Sequence, residues 1–233
     1  MKKINLTLII LSIVFIGILI PFQKINAQEN DADSSFSVKM DFYSSYVWRG
    51  TLYSGPSVQP SLSWQHQGFT IGAWASQDFA GTYSEADLYA SYSFKFGLSL
   101  GLTDYYYPGL SYFDFSDSTG SHAYEINLGY RIRKLSLAAN YVINRSGGAA
   151  SAGGDTYVEL KYDFKYFGLF AGVGNGWLTI EEPGKSDQFG LVNIGAIISK
   201  EIIITDKFSV PLTGSVIWNP QAEQFYIVAG FSL

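Results

Sequence analysis

The chain has no cysteine, which excludes disulfides, thiolate metal sites and a lipid-anchored amino terminus. Charge is also scarce. Asp, Glu, Lys and Arg make up 15% of the residues, against roughly 25% in an ordinary soluble domain. Beyond residue 27 no apolar run is long enough to span a bilayer as a helix, which takes roughly 20 residues. Basic residues are the scarcer sign. Residues 1–27 hold Lys2, Lys3 and Lys24 and no acid, so the remainder carries twelve bases and twenty acids, a net charge of −8. Phosphate neutralisation needs a basic surface, so nucleic acid is not an expected partner.

What is present begins with a targeting segment. Lys2 and Lys3 precede an apolar stretch, Leu6 to Ile20, broken by Pro21, with Ala27 at the expected cleavage point. A basic start, a short apolar core and a small residue make residues 1–27 a signal peptide. Residues 28–35 are polar and read as a periplasmic N-terminal stub.

From Phe36 the dominant period is two. Phe36, Val38, Met40 and Phe42 alternate with Ser37, Lys39, Asp41 and Tyr43; Ala86, Leu88, Ala90 and Tyr92 with Glu85, Asp87, Tyr89 and Ser91. Tyr124 to Ile132, Val158 to Phe164 and Phe225 to Leu233 repeat the pattern. The expected strands are 36–49, 56–66, 68–77, 84–95, 97–107, 122–132, 135–144, 156–165, 167–177, 187–204, 208–218 and 223–233. Connections alternate between short turns and longer loops rich in Gly, Ser, Asp and Pro. Strands of about 10 residues, with one apolar and one polar or small face, are the grammar of a transmembrane barrel. The fold class expected for 36–233 is therefore all-β: an antiparallel outer-membrane β-barrel of about twelve strands in a Gram-negative envelope. Both termini would lie on the periplasmic side. Closure follows because an open sheet edge cannot face hydrocarbon. Trp48, Trp177, Trp218 and Tyr105 to Tyr107 are expected in the outer aromatic girdle, Trp64 and Phe94 in the inner one.

The same register points ten charges into the lumen: Lys39, Asp41, Arg49, Glu85, Asp87, Glu125, Arg131, Glu159, Lys161 and Asp163. They form either an internal salt-bridge lattice that fills a small barrel or a constriction that selects solutes. Acids outnumber bases, so a conducting lumen would lean towards cations. His66 and His122 read as polar turn residues. Ser121 adjoins His122, but neighbours on a strand face opposite sides, so no hydrolase pair and no other catalytic constellation is expected. Asp114, Asp117 and His122 match no metal-loop spacing. Gly147 to Gly154 lacks the Lys-Ser/Thr ending of a phosphate loop and reads as surface loop. Asn144-Arg145-Ser146 fits a glycosylation sequon only by chance in a bacterial envelope. Arg131, Arg133, Lys134, Lys165 and Lys207 are expected to anchor the inner rim. No cofactor or metal is implied.

The run Asp41-Phe42-Tyr43-Ser44-Ser45-Tyr46-Val47-Trp48-Arg49-Gly50 resembles the opening strand of the TorF-type porin family, also called the Gcw_chp family of uncharacterised bacterial proteins. Gly55 to Pro60, Thr103 to Pro108 and Asn219 to Glu223 are similar to it as well. The resemblance covers Phe36 to Leu233. It implies an outer-membrane location and a channel role, and brings no substrate or catalytic residue. The expected partners are outer-membrane lipid, the barrel insertion machinery and small solutes. The alternative is a non-conducting barrel that binds a ligand, or serves envelope structure, through its outer loops.

Overall fold

The computed structural model describes residues 34–179, 188–206 and 208–233. The expected signal peptide, most of the stub and Lys207 lie outside them. Fourteen strands follow in order: β1 Ser34–Tyr43, β2 Tyr46–Trp48, β3 Thr51–Ser54, β4 Ser57–His66, β5 Phe69–Asp78, β6 Ser84–Ser93, β7 Leu98–Tyr106, β8 His122–Ile132, β9 Leu135–Val142, β10 Thr156–Asp163, β11 Gly168–Gly174, β12 Gly190–Thr205, β13 Phe208–Asn219 and β14 Gln224–Ser232. All but β2 and β3 form one closed antiparallel barrel.

Within the barrel β1 pairs with β4 across the β2–β3 hairpin, each later strand pairs with the next, and β1 closes the ring against β14. The closing seam is short: Asp41 opposes Ser232, Phe42 opposes Phe231 and Tyr43 opposes Gly230. Reciprocal 3.0 Å backbone bonds between Met40 and Leu233 extend it. Phe42 and Phe231 stack across it at 4.8 Å. At one end the strands join by tight turns such as Gln67-Gly68, whose two positive φ values (48° and 88°) match the twist of a hairpin. The longer connections gather at the other end. These are called here the turn end and the loop end.

Period two sorts the side chains as the sequence predicts. Phe36, Val38, Leu62, Leu88, Leu128, Leu160 and Ile227 are exposed on the outside. The cross-strand pairs keep them in one face, as in Phe36↔Trp64 and Val38↔Leu62. Phe36 and Ile227 are 68% and 71% exposed. The opposite parity faces the lumen, and there the two halves differ. Near the loop end Ser57, Ser76, Glu85, Glu125, Asn140, Tyr157, Val192, Ile217 and Val228 are all buried. Near the turn end Lys39, Gln65, Ser93, Arg131, Ser199 and Glu201 remain exposed. The lumen is therefore an open vestibule at the turn end and a closed layer at the loop end.

Three expectations need correction. The first strand does not run to Arg49: it begins at Ser34, inside the expected stub, and stops at Tyr43, because at Ser44 the side-chain hydroxyl replaces the backbone carbonyl as acceptor of the Ala229 amide. Residues Tyr46–Ser54 form a separate hairpin of β2 and β3. The strand expected to end at Trp177 stops at Gly174, and Trp177 sits in a short 3-10 turn, Gly176–Leu178.

Candidate functional site in the barrel lumen

The hairpin closes the loop half. Its arms pair Tyr46 with Ser54, Val47 with Leu52 and Trp48 with Thr51, which leaves Arg49-Gly50 as a two-residue tip. Both tip residues have positive φ, 51° and 82°, the geometry of a mirror-image turn that glycine adopts without cost. Gly50 has a second reason to be glycine. A Cβ there would lie 1.9 Å from the Val192 carbonyl oxygen, so the tip sits flush against β12. The Gly50 carbonyl accepts a 3.0 Å bond from Asn219 Nδ2 on β13.

Arg49 reaches the far wall of the barrel. Its guanidinium donates to both Glu125 carboxylate oxygens, Nη1 to Oε2 at 2.6 Å and Nη2 to Oε1 at 2.8 Å. The same cation lies 4.1 Å above the Trp48 ring and 4.7 Å above that of Tyr157. Glu125, 1% exposed, also accepts from Tyr105 Oη at 2.9 Å and Asn127 Nδ2 at 2.7 Å. Asn127 continues to Asn140 and Thr103. A buried ion pair recovers its desolvation cost only when the remaining lone pairs are satisfied, and here they are. Around the pair runs an aromatic layer: Trp48 against Tyr105 and Trp177, Tyr46 against Tyr53 and Trp74, and Tyr53 against Tyr83. Trp48, Tyr105, Tyr107 and Trp177 thus line the interior, not the girdle expected of them. Trp218, Tyr106, Trp64 and Phe94 do share the outward parity of the barrel wall.

The nine expected lumen charges that lie on strands all have inward parity, and Arg49 enters the lumen on the hairpin. They do not form one cluster. Glu125 holds Arg49. Glu85 is buried and accepts from Tyr83 Oη at 2.8 Å. Asp87 is buried beside it, and its Oδ1 has no partner among the described residues. Glu159 accepts from Tyr157 Oη at 2.5 Å and Asn193 Nδ2 at 3.1 Å. In the vestibule Asp163 bridges Arg131 at 3.0 Å and Lys161 at 3.2 Å. That pairing is largely solvated and contributes little. Lys39 and Asp41 share the vestibule wall without an ion pair among the described residues.

The histidines are not mere turn residues. His66 ends β4 and stacks on Trp64 at 5.7 Å. His122 opens β8 on the outer face, almost fully buried. Nδ1 lies 2.8 Å from Asp104 Oδ1 and Nε2 lies 2.6 Å from the Tyr112 carbonyl oxygen. Tyr106 and Phe115 stack on the ring at 5.3 and 5.0 Å. His122 thereby fastens the loop between β7 and β8 to the barrel wall. Ser121 donates to the Ser111 carbonyl at 2.6 Å, so it and His122 do not address each other. In the same loop Asp114 accepts from the Ser116 hydroxyl, the Ser116 amide and the Thr119 hydroxyl. Those bonds hold its carboxyl below the ordinary range. No group of three acids or histidines placed to hold a metal occurs among the described residues.

Nothing in the sequence marked Tyr46, Tyr53 and Tyr83 as plug residues or Asn219 as their anchor. A signal for the hairpin itself was there: Trp48 and Thr51 flank a two-residue Arg-Gly, the spacing of a hairpin turn. Residues 27–199 match a family model described as a bacterial protein of unknown function (Gcw_chp). No curated protein matches the chain.

Proposed function

The chain belongs to the Gcw_chp family of bacterial proteins of unknown function, so its role has to be read from the barrel, and we propose a porin-type outer-membrane channel that the Tyr46–Ser54 hairpin holds closed at rest. Support for the membrane comes from the outward face, a continuous exposed apolar belt of the kind that soluble monomers do not present. Short turns at one end and long loops at the other fit turns in the periplasm and loops outside the cell.

The observation that carries the channel reading is the wall behind the plug. Ser57, Gln59, Ser76, Asp87, Asn140 and Asn193 face the closed layer. A barrel meant only to be filled is best filled with apolar side chains, because buried polar groups cost stability unless paired. A wall with this many polar groups, set beside Val142, Val192, Ile217 and Val228, suits a water-filled passage once the hairpin leaves. The solutes are small and hydrophilic, and with Glu85 and Asp87 on the exposed wall the open state favours cations.

A second reading has one observation behind it: the Arg49–Glu125 pair is well enough satisfied to make the plug permanent. Two assays separate the readings. The protein is expected in the outer-membrane fraction. Vesicles holding the wild type should retain small solutes, and those holding Glu125→Gln should leak them. Free leakage through the wild type contradicts closure at rest. Retention by Glu125→Gln with leakage through a variant lacking the hairpin establishes a permanent plug, and retention by both contradicts the hairpin as the element that closes the barrel.

A further inference from the structure

We propose that the loop end carries a binding site for a small organic cation, an ammonium or guanidinium compound, in an aromatic pocket that the plug itself helps to wall. The pocket has a volume of about 290 Å³ and is walled by Tyr53, Tyr107 and Trp177 over the Gly148-Ala149-Ala150 backbone. Tyr53 comes from β3, Tyr107 from the start of the loop after β7 and Trp177 from the turn after β11, so three separate segments converge on it. The wall is braced. Trp177 Nε1 donates to the Ala150 carbonyl at 2.7 Å, and Tyr83 packs edge-on against both Tyr53 and Tyr107, at 5.5 and 6.4 Å.

The occupant follows from charge. Two buried carboxylates stand behind the aromatic walls. Glu85 is held by Tyr83 Oη at 2.8 Å. Asp155 accepts from the Trp177 backbone amide at 3.0 Å and from Ser151 Oγ at 2.8 Å. Neither has a basic partner among the described residues. The nearest buried cation of the plug, Arg49, is already neutralised by Glu125. Uncompensated buried carboxylates favour a cation nearby, and aromatic walls offer one a low-cost surface through the ring quadrupole. The plug itself shows the arrangement one layer deeper, where Arg49 sits over Trp48 and Tyr157.

The test uses the refolded full chain in detergent, with tetramethylammonium chloride as probe. Saturation-transfer NMR on its methyl protons reads binding, and sodium chloride holds the ionic strength constant. Saturable binding is expected. Tyr107→Leu should weaken it roughly tenfold, the scale of one desolvated cation–π contact. Tyr107→Phe should bind like the wild type, because the ring and not the hydroxyl carries the interaction. Glu85→Gln should also weaken binding. Heat-modifiable gel mobility reports that each barrel is closed, and Tyr89→Leu, on the turn-half wall, is the unaffected control. Three results would overturn the proposal: no saturable binding, equal binding by Tyr107→Leu and Tyr107→Phe, or a methyl glucoside binding the pocket where tetramethylammonium does not.

Discussion

Arg49 and Glu125, 76 residues apart in the chain, meet inside the loop half of the barrel through parallel hydrogen bonds of 2.6 and 2.8 Å. One residue rides on the hairpin tip and the other on the fixed wall, so this contact couples plug to barrel. Glu125→Gln leaves a buried guanidinium without its counter-charge, a loss of about 3–5 kcal/mol. The barrel ladder does not depend on the hairpin, so the hairpin should come free while the barrel stays closed. Limited trypsin digestion reads this directly. The wild type should resist cleavage after Arg49, and Glu125→Gln should be cut there with heat-modifiable mobility retained. An uncut variant would show that the pair does not hold the plug.

Gly50→Ala should release the same element by sterics alone. The new Cβ meets the Val192 carbonyl, and a left-handed backbone at a residue with a Cβ costs about 1–2 kcal/mol. Trypsin sensitivity after Arg49 is again the measurement. Protection equal to the wild type would mean that the tip is not seated against β12.

These two residues mark where the sequence was legible and where it was not. Alternation of apolar and polar residues gave the barrel, its register and the inward parity of nine charges, because period two is a local property of every strand that has an apolar outer face and a polar inner one. Arg49-Gly50 misled for a local reason: Tyr46 and Trp48 continue the alternation of Phe36 to Phe42, so the break at Ser44-Ser45 reads as strand. Trp177 misled in the same way, since an aromatic residue at a strand end fits a girdle as well as a plug. The Arg49–Glu125, Asn219–Gly50 and His122–Asp104 contacts join distant segments, and no spacing in the chain announces them.

His122 makes the loop between β7 and β8 testable separately from the plug. With its ring removed, Asp104 and the Tyr112 carbonyl lose their shared partner. His122→Ala should raise the rate of chymotrypsin cleavage in residues 107–121 roughly tenfold, the scale of losing about 1.4 kcal/mol of local protection. Arg49 should stay protected from trypsin. Unchanged cleavage of the loop would show that other contacts fasten it.

The seam between β1 and β14 has three paired positions, and Phe231 stacks on Phe42 across it. Phe231→Asp removes the stack and places a charge on the outward face of the barrel. The variant should lose heat-modifiable mobility and give a lower yield of inserted protein in the outer-membrane fraction. A normal yield of closed barrel would contradict an outward, lipid-facing Phe231.

The most direct measurement is single-channel conductance in a planar bilayer, comparing the wild type with a variant in which Tyr46–Ser54 is replaced by a short Gly-Ser link. The wild type should be closed nearly all the time, and the variant should show steady, cation-leaning conductance across a KCl gradient. A wild type that conducts as steadily as the variant, or a variant that remains closed, would contradict the hairpin as the element that shuts this barrel.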